Sequence, residues 1–162
     1  MRLQPHAYFA LLIAMIACGG SSPRPSPTPL SSSPSDSSSV VGRWALLSLV
    51  ISGEDKLSQG GVRSGAVTYT FNADGTFRIE LGDSVRETGT WSVDNTVLPK
   101  GFDHTPDTDG KSGPHVPGIY TIYRDTLKIS IWPPNPANRR PTQFRSVPAD
   151  SSWLLIFRRA AR

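Results

Sequence analysis

The chain has 162 residues, enough for one domain of ordinary size, and carries a formal net charge of +4 that is mild and spread along its length. A single cysteine, Cys18, excludes an intrachain disulfide. A lone cysteine could serve as a nucleophile in a cytosolic enzyme, but the position of this one argues against that role.

From the N-terminus, Arg2 gives a small positive patch, and residues 7–17 (AYFALLIAMIA) form an unbroken apolar run. That run suits the core of a signal peptide and falls short of the roughly 20 residues that a comfortable membrane span needs. Met15-Ile16-Ala17-Cys18 closes it and resembles the lipobox of bacterial lipoproteins, with a small residue just before the cysteine. The resemblance implies cleavage before Cys18, acylation of its thiol and new amino group, and an anchor of several acyl chains, stable where one chain is marginal. Gly19 rather than Asp follows the cysteine; by analogy with lipoproteins of two-membraned bacteria this favours the outer membrane. Residues 19–39 (GGSSPRPSPTPLSSSPSDSSS) cannot bury enough apolar surface to offset ordering, so the expectation is a disordered, proline-stiffened tether. The division is therefore a signal peptide over 1–17, a lipidated Cys18 with its linker over 18–39, and a folded domain over 40–162.

Within the domain every segment reads as strand or connection. Residues 41–52 (VGRWALLSLVIS) are apolar on both faces and predict a first strand. Residues 53–65 are a glycine-rich loop with a short helical turn near Leu57. Residues 66–81 predict a hairpin: Val67, Tyr69 and Phe71 share one face, Phe77, Ile79 and Leu81 share another, and Gly75 turns the chain between them. Residues 85–93 (VRETGTWSV) place Gly89, Trp91 and Val93 on one face, and a glycine inside a strand permits a sharp bend or a close backbone approach. Residues 97–105 predict a weak strand interrupted by Pro99 and Gly101, followed by a polar loop over 106–117. Residues 117–132 (PGIYTIYRDTLKISIW) predict a second hairpin turning at Arg124-Asp125. Its second strand alternates Leu127, Ile129 and Ile131 with Thr126, Lys128 and Ser130, giving one apolar and one largely polar face. A proline-rich crossing over 133–141 and a short strand or helical turn over 142–147 lead to a last strand, 153–159 (WLLIFRR). About eight short strands without convincing helical periodicity predict an all-β sandwich or closed barrel.

Gly42-Arg43-Trp44 on the first strand is similar to the G-x-W start of lipocalin-like, calycin-type barrels. The order GRW, FNADGTF, ETGTW, PKGFD, GIY, DTLKI, RPTQF and LIFRR across residues 41–159 resembles a family of small lipocalin-like domains of unknown function, found largely in planctomycetes and related bacteria. The resemblance implies an antiparallel up-and-down barrel or half-barrel, and the sequence allows both a closed barrel and an open, strongly curved sheet. It also implies that Trp44 packs at the barrel base under an arginine of the last strand, Arg158 or Arg159, with a cation–π contact typically worth about 0.5–2 kcal/mol. Arg140-Pro141-Thr142 and Phe144 read as framework in the same comparison. The family brings no activity, ligand, cofactor or catalytic residue with it.

The residues offer little chemistry. Asp103, His104, Asp109 and His115 are ligand types that could hold a metal, but their spacing follows no metal motif, and the expectation is a solvated loop with an Asp–His pair. Asp107-Thr108-Asp109-Gly110 echoes a calcium loop, yet Thr105 and Val116 stand where acids are required, so it reads as a turn. No nucleophile motif or phosphate loop appears, so no catalytic residue and no cofactor are expected. Arg139, Arg140 and Arg145 form a basic cluster near Trp132 and Phe144; export argues against nucleic acid and leaves a solvated rim or an anionic envelope component. Two readings of the barrel remain open. One is a binding module whose lining is Tyr69, Phe71, Phe77, Ile79, Trp91, Tyr120, Ile122 and Leu127, suited to a small apolar ligand. The other is a barrel filled by those bulky side chains, a structural module meeting envelope proteins by its surface. In either case the expected partner at the N-terminus is the membrane, through the lipid on Cys18.

Overall fold

The computed structural model describes residues 39–132, 139–149 and 151–161. Alternation of side chains sets the fold. Eight long strands, β1 (Gly42–Ile51), β3 (Val67–Phe71), β4 (Thr76–Leu81), β5 (Ser84–Asp94), β6 (Gly101–Thr108), β8 (Val116–Tyr123), β9 (Thr126–Ile131) and β10 (Trp153–Arg159), each turn one row of apolar side chains inward. Two-residue strands β2 (Glu54–Asp55) and β7 (Lys111–Ser112) and the one-turn helix α1 (Lys56–Gln59) complete the regular structure among the described residues.

Each long strand pairs antiparallel with its predecessor in the chain, and β1 pairs with both β3 and β10. The sheet is therefore a closed, eight-stranded, up-and-down antiparallel barrel, and the open curved sheet that the sequence also allowed is not formed. Closure leaves no long strand with an unpaired edge along its whole length.

Up-and-down order assigns every connection to one of two ends. The proximal end carries the start of β1, the turn over 72–75, the loop over 95–100, the turn at Arg124-Asp125 and the exit of β10. The distal end carries the loop over 52–66 with α1, the turn at Gly82-Asp83, the loop around β7 and the crossover from β9 to β10. At the distal end Asp55 caps α1, accepting from the Leu57 and Ser58 backbone N–H groups at 3.0 and 3.4 Å, and Leu57 is buried in the core.

The predicted strands stand, with two corrections. The weak strand expected over 97–105 lies instead over Gly101–Thr108. Residues 95–100 are loop, because Pro99 has no N–H to offer a ladder. Pro106, which the sequence placed in a loop, is tolerated because β8 stops pairing with β6 at His104–Val116, leaving one side of β6 beyond that point free of β8. The short strand or helical turn expected over 142–147 is neither, but an irregular segment whose Ser146 hydroxyl accepts from the Gly53 N–H at 3.3 Å.

The polar face of β9 departs from the reading at one position: Lys128 is exposed, but Ser130 is fully buried on the outer wall, opposite the equally buried Ile119 of β8. The crossover is tied to the same wall. The Arg140 guanidinium donates to the carbonyls of Phe102 (3.2 Å) and Gly118, and to both carboxylate oxygens of Asp103 (2.8 and 2.9 Å). This clamps the returning chain across β6 and β8. The proline-rich run expected over 133–141 falls mostly at residues 133–138, outside the described residues.

Candidate functional site

The eight residues expected to line the barrel all lie in or against its core. Several of their rings pack against other aromatic side chains of the core. Tyr69 meets Phe157 edge-on at 4.9 Å between ring centroids; Phe71 meets Trp91 at 5.3 Å and Phe102 at 5.8 Å in the same manner. Such edge-to-face pairs suit the ring quadrupoles and add about 0.5–1.5 kcal/mol each beyond burial. The Trp91 indole N–H donates to the Thr76 carbonyl at 2.9 Å, and the Tyr120 hydroxyl bonds the Asn95 side-chain oxygen at 2.6 Å. Leu127 is wholly buried and Ile79 and Ile122 pack on the cluster. Two polar groups share this face. Burial pushes the Glu87 carboxyl up, and burial with the neighbouring Glu87 pushes the Tyr69 hydroxyl up.

Two concavities among the described residues, of about 190 and about 50 Å3, open on the outer wall and at the crossover. The larger is lined by Thr90, Ser92, Asp103 and Thr105 on the outer faces of β5 and β6, with Trp91, His104 and His115 at its margin. Asp103 sits at its centre of charge, forked by Arg140 and 3.3 Å from His115 Nε2. His104 points the other way, inward, against Phe77 and Phe102, and its Nδ1 is buried with no hydrogen-bond partner among the described residues. Burial, helped by His115 and opposed by Asp103, lowers its pKa to about 4, so it is neutral near pH 7.

This geometry brings Asp103 and His115 together and separates the other two metal candidates from them. His104 is on the opposite face of its strand, and Asp109 stands in the β6–β7 turn with φ of +51°. Among the described residues no group of three or more His, Cys, Asp or Glu side chains is placed to hold a metal ion. Of the basic cluster, Arg140 is structural, as the framework reading implied, while Arg139 and Arg145 are exposed. The sequence did not reveal the Arg140–Asp103 fork. Its partners are 37 positions apart, and no periodicity links a crossover to a strand it overlies.

At the proximal end Arg159, not Arg158, covers Trp44. The guanidinium carbon lies 4.2 Å from the ring centroid, and its two terminal nitrogens donate to the carbonyls of Val41 (3.3 Å) and Ser39 (3.0 Å). The Trp44 indole donates to the Val40 carbonyl at 2.7 Å, and the ring has no exposed surface. Gly42 is needed beneath this stack: its φ is +133°, and a Cβ there would come within 3.0 Å of the arginine. Arg158 is exposed on the outer face opposite Ala45. Parity could not choose between the two arginines because both faces of β10 are apolar; register with Trp44 does. Cys18 lies outside the described residues. Comparison of the chain with models of known families, with characterised proteins and with solved structures gives no match.

Proposed function

We propose that the chain is an exported lipoprotein of the bacterial envelope, held to a membrane through Cys18, whose lipocalin-like barrel is filled by its own side chains and acts as a non-catalytic interaction module. The membrane in question is the outer one, facing the periplasm or the surface. The observation that carries the filled reading is the mutual packing of Tyr69, Phe71, Trp91, Phe102 and Phe157 where a ligand would have to sit. The lipobox-like MIAC and the Ser/Pro-rich segment after it support the anchor. The wrapping of Trp44 by Arg159 supports kinship with lipocalin-like domains.

Native mass spectrometry of residues 39–162, which begin at the first described residue, tests the filled barrel. The expected result is the mass of the bare chain, with no gain from a panel of lipophiles. A mass excess lost on denaturation, with a lipid or aromatic compound recovered, would reverse the reading to a carrier or sensor of small apolar ligands and return attention to the eight lining residues.

A further inference from the structure

Four large apolar side chains are exposed among the described residues, and three of them lie at the proximal end: Leu98 (92% exposed), Tyr123 (70%) and Val97 (41%). The fourth, Val85, follows a distal turn. Leu98 and Val97 sit on the loop before β6 and Tyr123 on the last position of β8. The two elements are neighbours, joined at this end by the bond from the Tyr120 N–H to the Lys100 carbonyl (3.0 Å). Cations flank the apolar tip. The Lys100 ammonium lies 5.9 Å from the Tyr120 ring and the Arg124 guanidinium 5.2 Å from the Tyr123 ring. Arg43 and Arg158 are exposed on the same end of the wall. The acids there are Asp74, Asp94 and Asp125; the first two bond the backbone N–H and hydroxyl of Thr76 and Thr96 in their own turns.

A projecting leucine, an amphipathic tyrosine and long basic side chains on one rim are the groups that partition to a bilayer interface, the apolar parts entering and the cations staying with the headgroups. The attachment point agrees. Ser39, bonded to Arg159, is at the proximal end, and 20 residues (19–38) separate it from Cys18, a reach of at most about 70 Å. A leash of that length leaves this end free to touch the membrane that holds it and raises its effective concentration there.

We infer that the proximal end of the barrel, through Val97, Leu98 and Tyr123 with Lys100 and Arg124, docks on the interface of a bilayer containing anionic lipid. The inference rests on the lipid-anchor reading and adds an orientation to it: the distal end faces away from the membrane.

The test uses the full-length protein, purified from its membranes and placed in phosphatidylcholine vesicles with or without phosphatidylglycerol. Leu98→Cys and, at the distal end, Ser112→Cys are labelled with a membrane-impermeant maleimide and read peptide by peptide by mass spectrometry. The expected result is labelling at position 98 roughly tenfold slower than at position 112, more so with phosphatidylglycerol, and relieved by Lys100→Glu with Arg124→Glu. Equal rates at the two positions on membrane-bound protein would overturn the docking while leaving the anchor intact. Protection that follows the protein-to-lipid ratio instead of the anionic lipid would overturn it in favour of a second copy. The same spectra report acylation of Cys18. If the cysteine is unmodified and the protein is free in solution, the anchor reading fails. The docking then stands only if added anionic vesicles still protect position 98, and falls if they do not.

Discussion

Trp44 and Arg159 close the proximal end: one ring face is covered by one guanidinium, and three backbone carbonyls, at Ser39, Val40 and Val41, are satisfied by the two side chains. A double-mutant cycle of Trp44→Phe and Arg159→Met should therefore give a coupling of about 0.5–2 kcal/mol in urea unfolding. Arg158→Met, on the exposed face, should stay within about 0.5 kcal/mol of the parent. Additivity of the first pair would remove the cation–π account. His104 is the second residue with a measurable signature. Its folded pKa of about 4 is below the ordinary 6.5, so the unfolded chain binds the proton more readily throughout that interval. Its contribution to stability is complete above pH 6.5 and is lost as the pH falls toward 4. Over that span the loss amounts to about 3 kcal/mol at 1.36 kcal/mol per pH unit. Unfolding free energies measured from pH 7.5 down to pH 4 should fall along this course, and His104→Leu should flatten it; an unchanged slope would show that other groups govern acid sensitivity. Glu87 works in the opposite sense. Its raised pKa means stability present at low pH and lost as the pH rises, so Glu87→Gln should stabilise the domain at pH 7.

The elements were legible in the sequence to the extent that alternation encodes them. Strands β3, β4, β5 and β9 show their inner rows directly, and the glycine inside β5 was marked as a place of close approach. There the backbone of β6 comes so near that a Cβ on Gly89 would stand 2.2 Å from the Thr105 carbonyl oxygen and 2.7 Å from the Phe77 ring. Gly89→Ala should destabilise the domain by about 1–3 kcal/mol, read as a lower urea midpoint with an unchanged m-value. β6 was misplaced because its pattern is broken by Pro99 and Gly101 at one end and by Pro106 at the other; the strand is imposed by β5 and β8 on either side, not by its own composition. The crossover was not legible at all. Its grip depends on a planar fork meeting a carboxylate, so Arg140→Lys, which keeps charge but loses the fork, should cost about 1.5–3 kcal/mol in the same unfolding assay.

For the whole molecule, closure between β1 and β10 makes the interior a fixed volume, and the aromatic side chains of the inner rows occupy it. Function by this reading sits at the surface and at the N-terminus. Cys18→Ser should move the protein from the membrane fraction to the soluble fraction of the expressing cells, and continued membrane association of that variant would defeat the anchor.

By itself the sequence determined the class of fold, the approximate strand count and the inward residues, because a period of two and the residues that turn a chain are local properties. It also carries the lipobox-like MIAC and the Ser/Pro-rich stretch after it, which are read from motif and composition. Tertiary structure alone decided that the sheet closes, that Arg159 and not Arg158 covers Trp44, that Asp103 is held by Arg140, and that Ile119 and Ser130 are buried on the outer faces of β8 and β9. Each of these depends on register or on contact between segments far apart in the chain. In a strand protein such contacts are set by how neighbouring strands slide past one another until both faces are satisfied, and no single stretch of sequence records that.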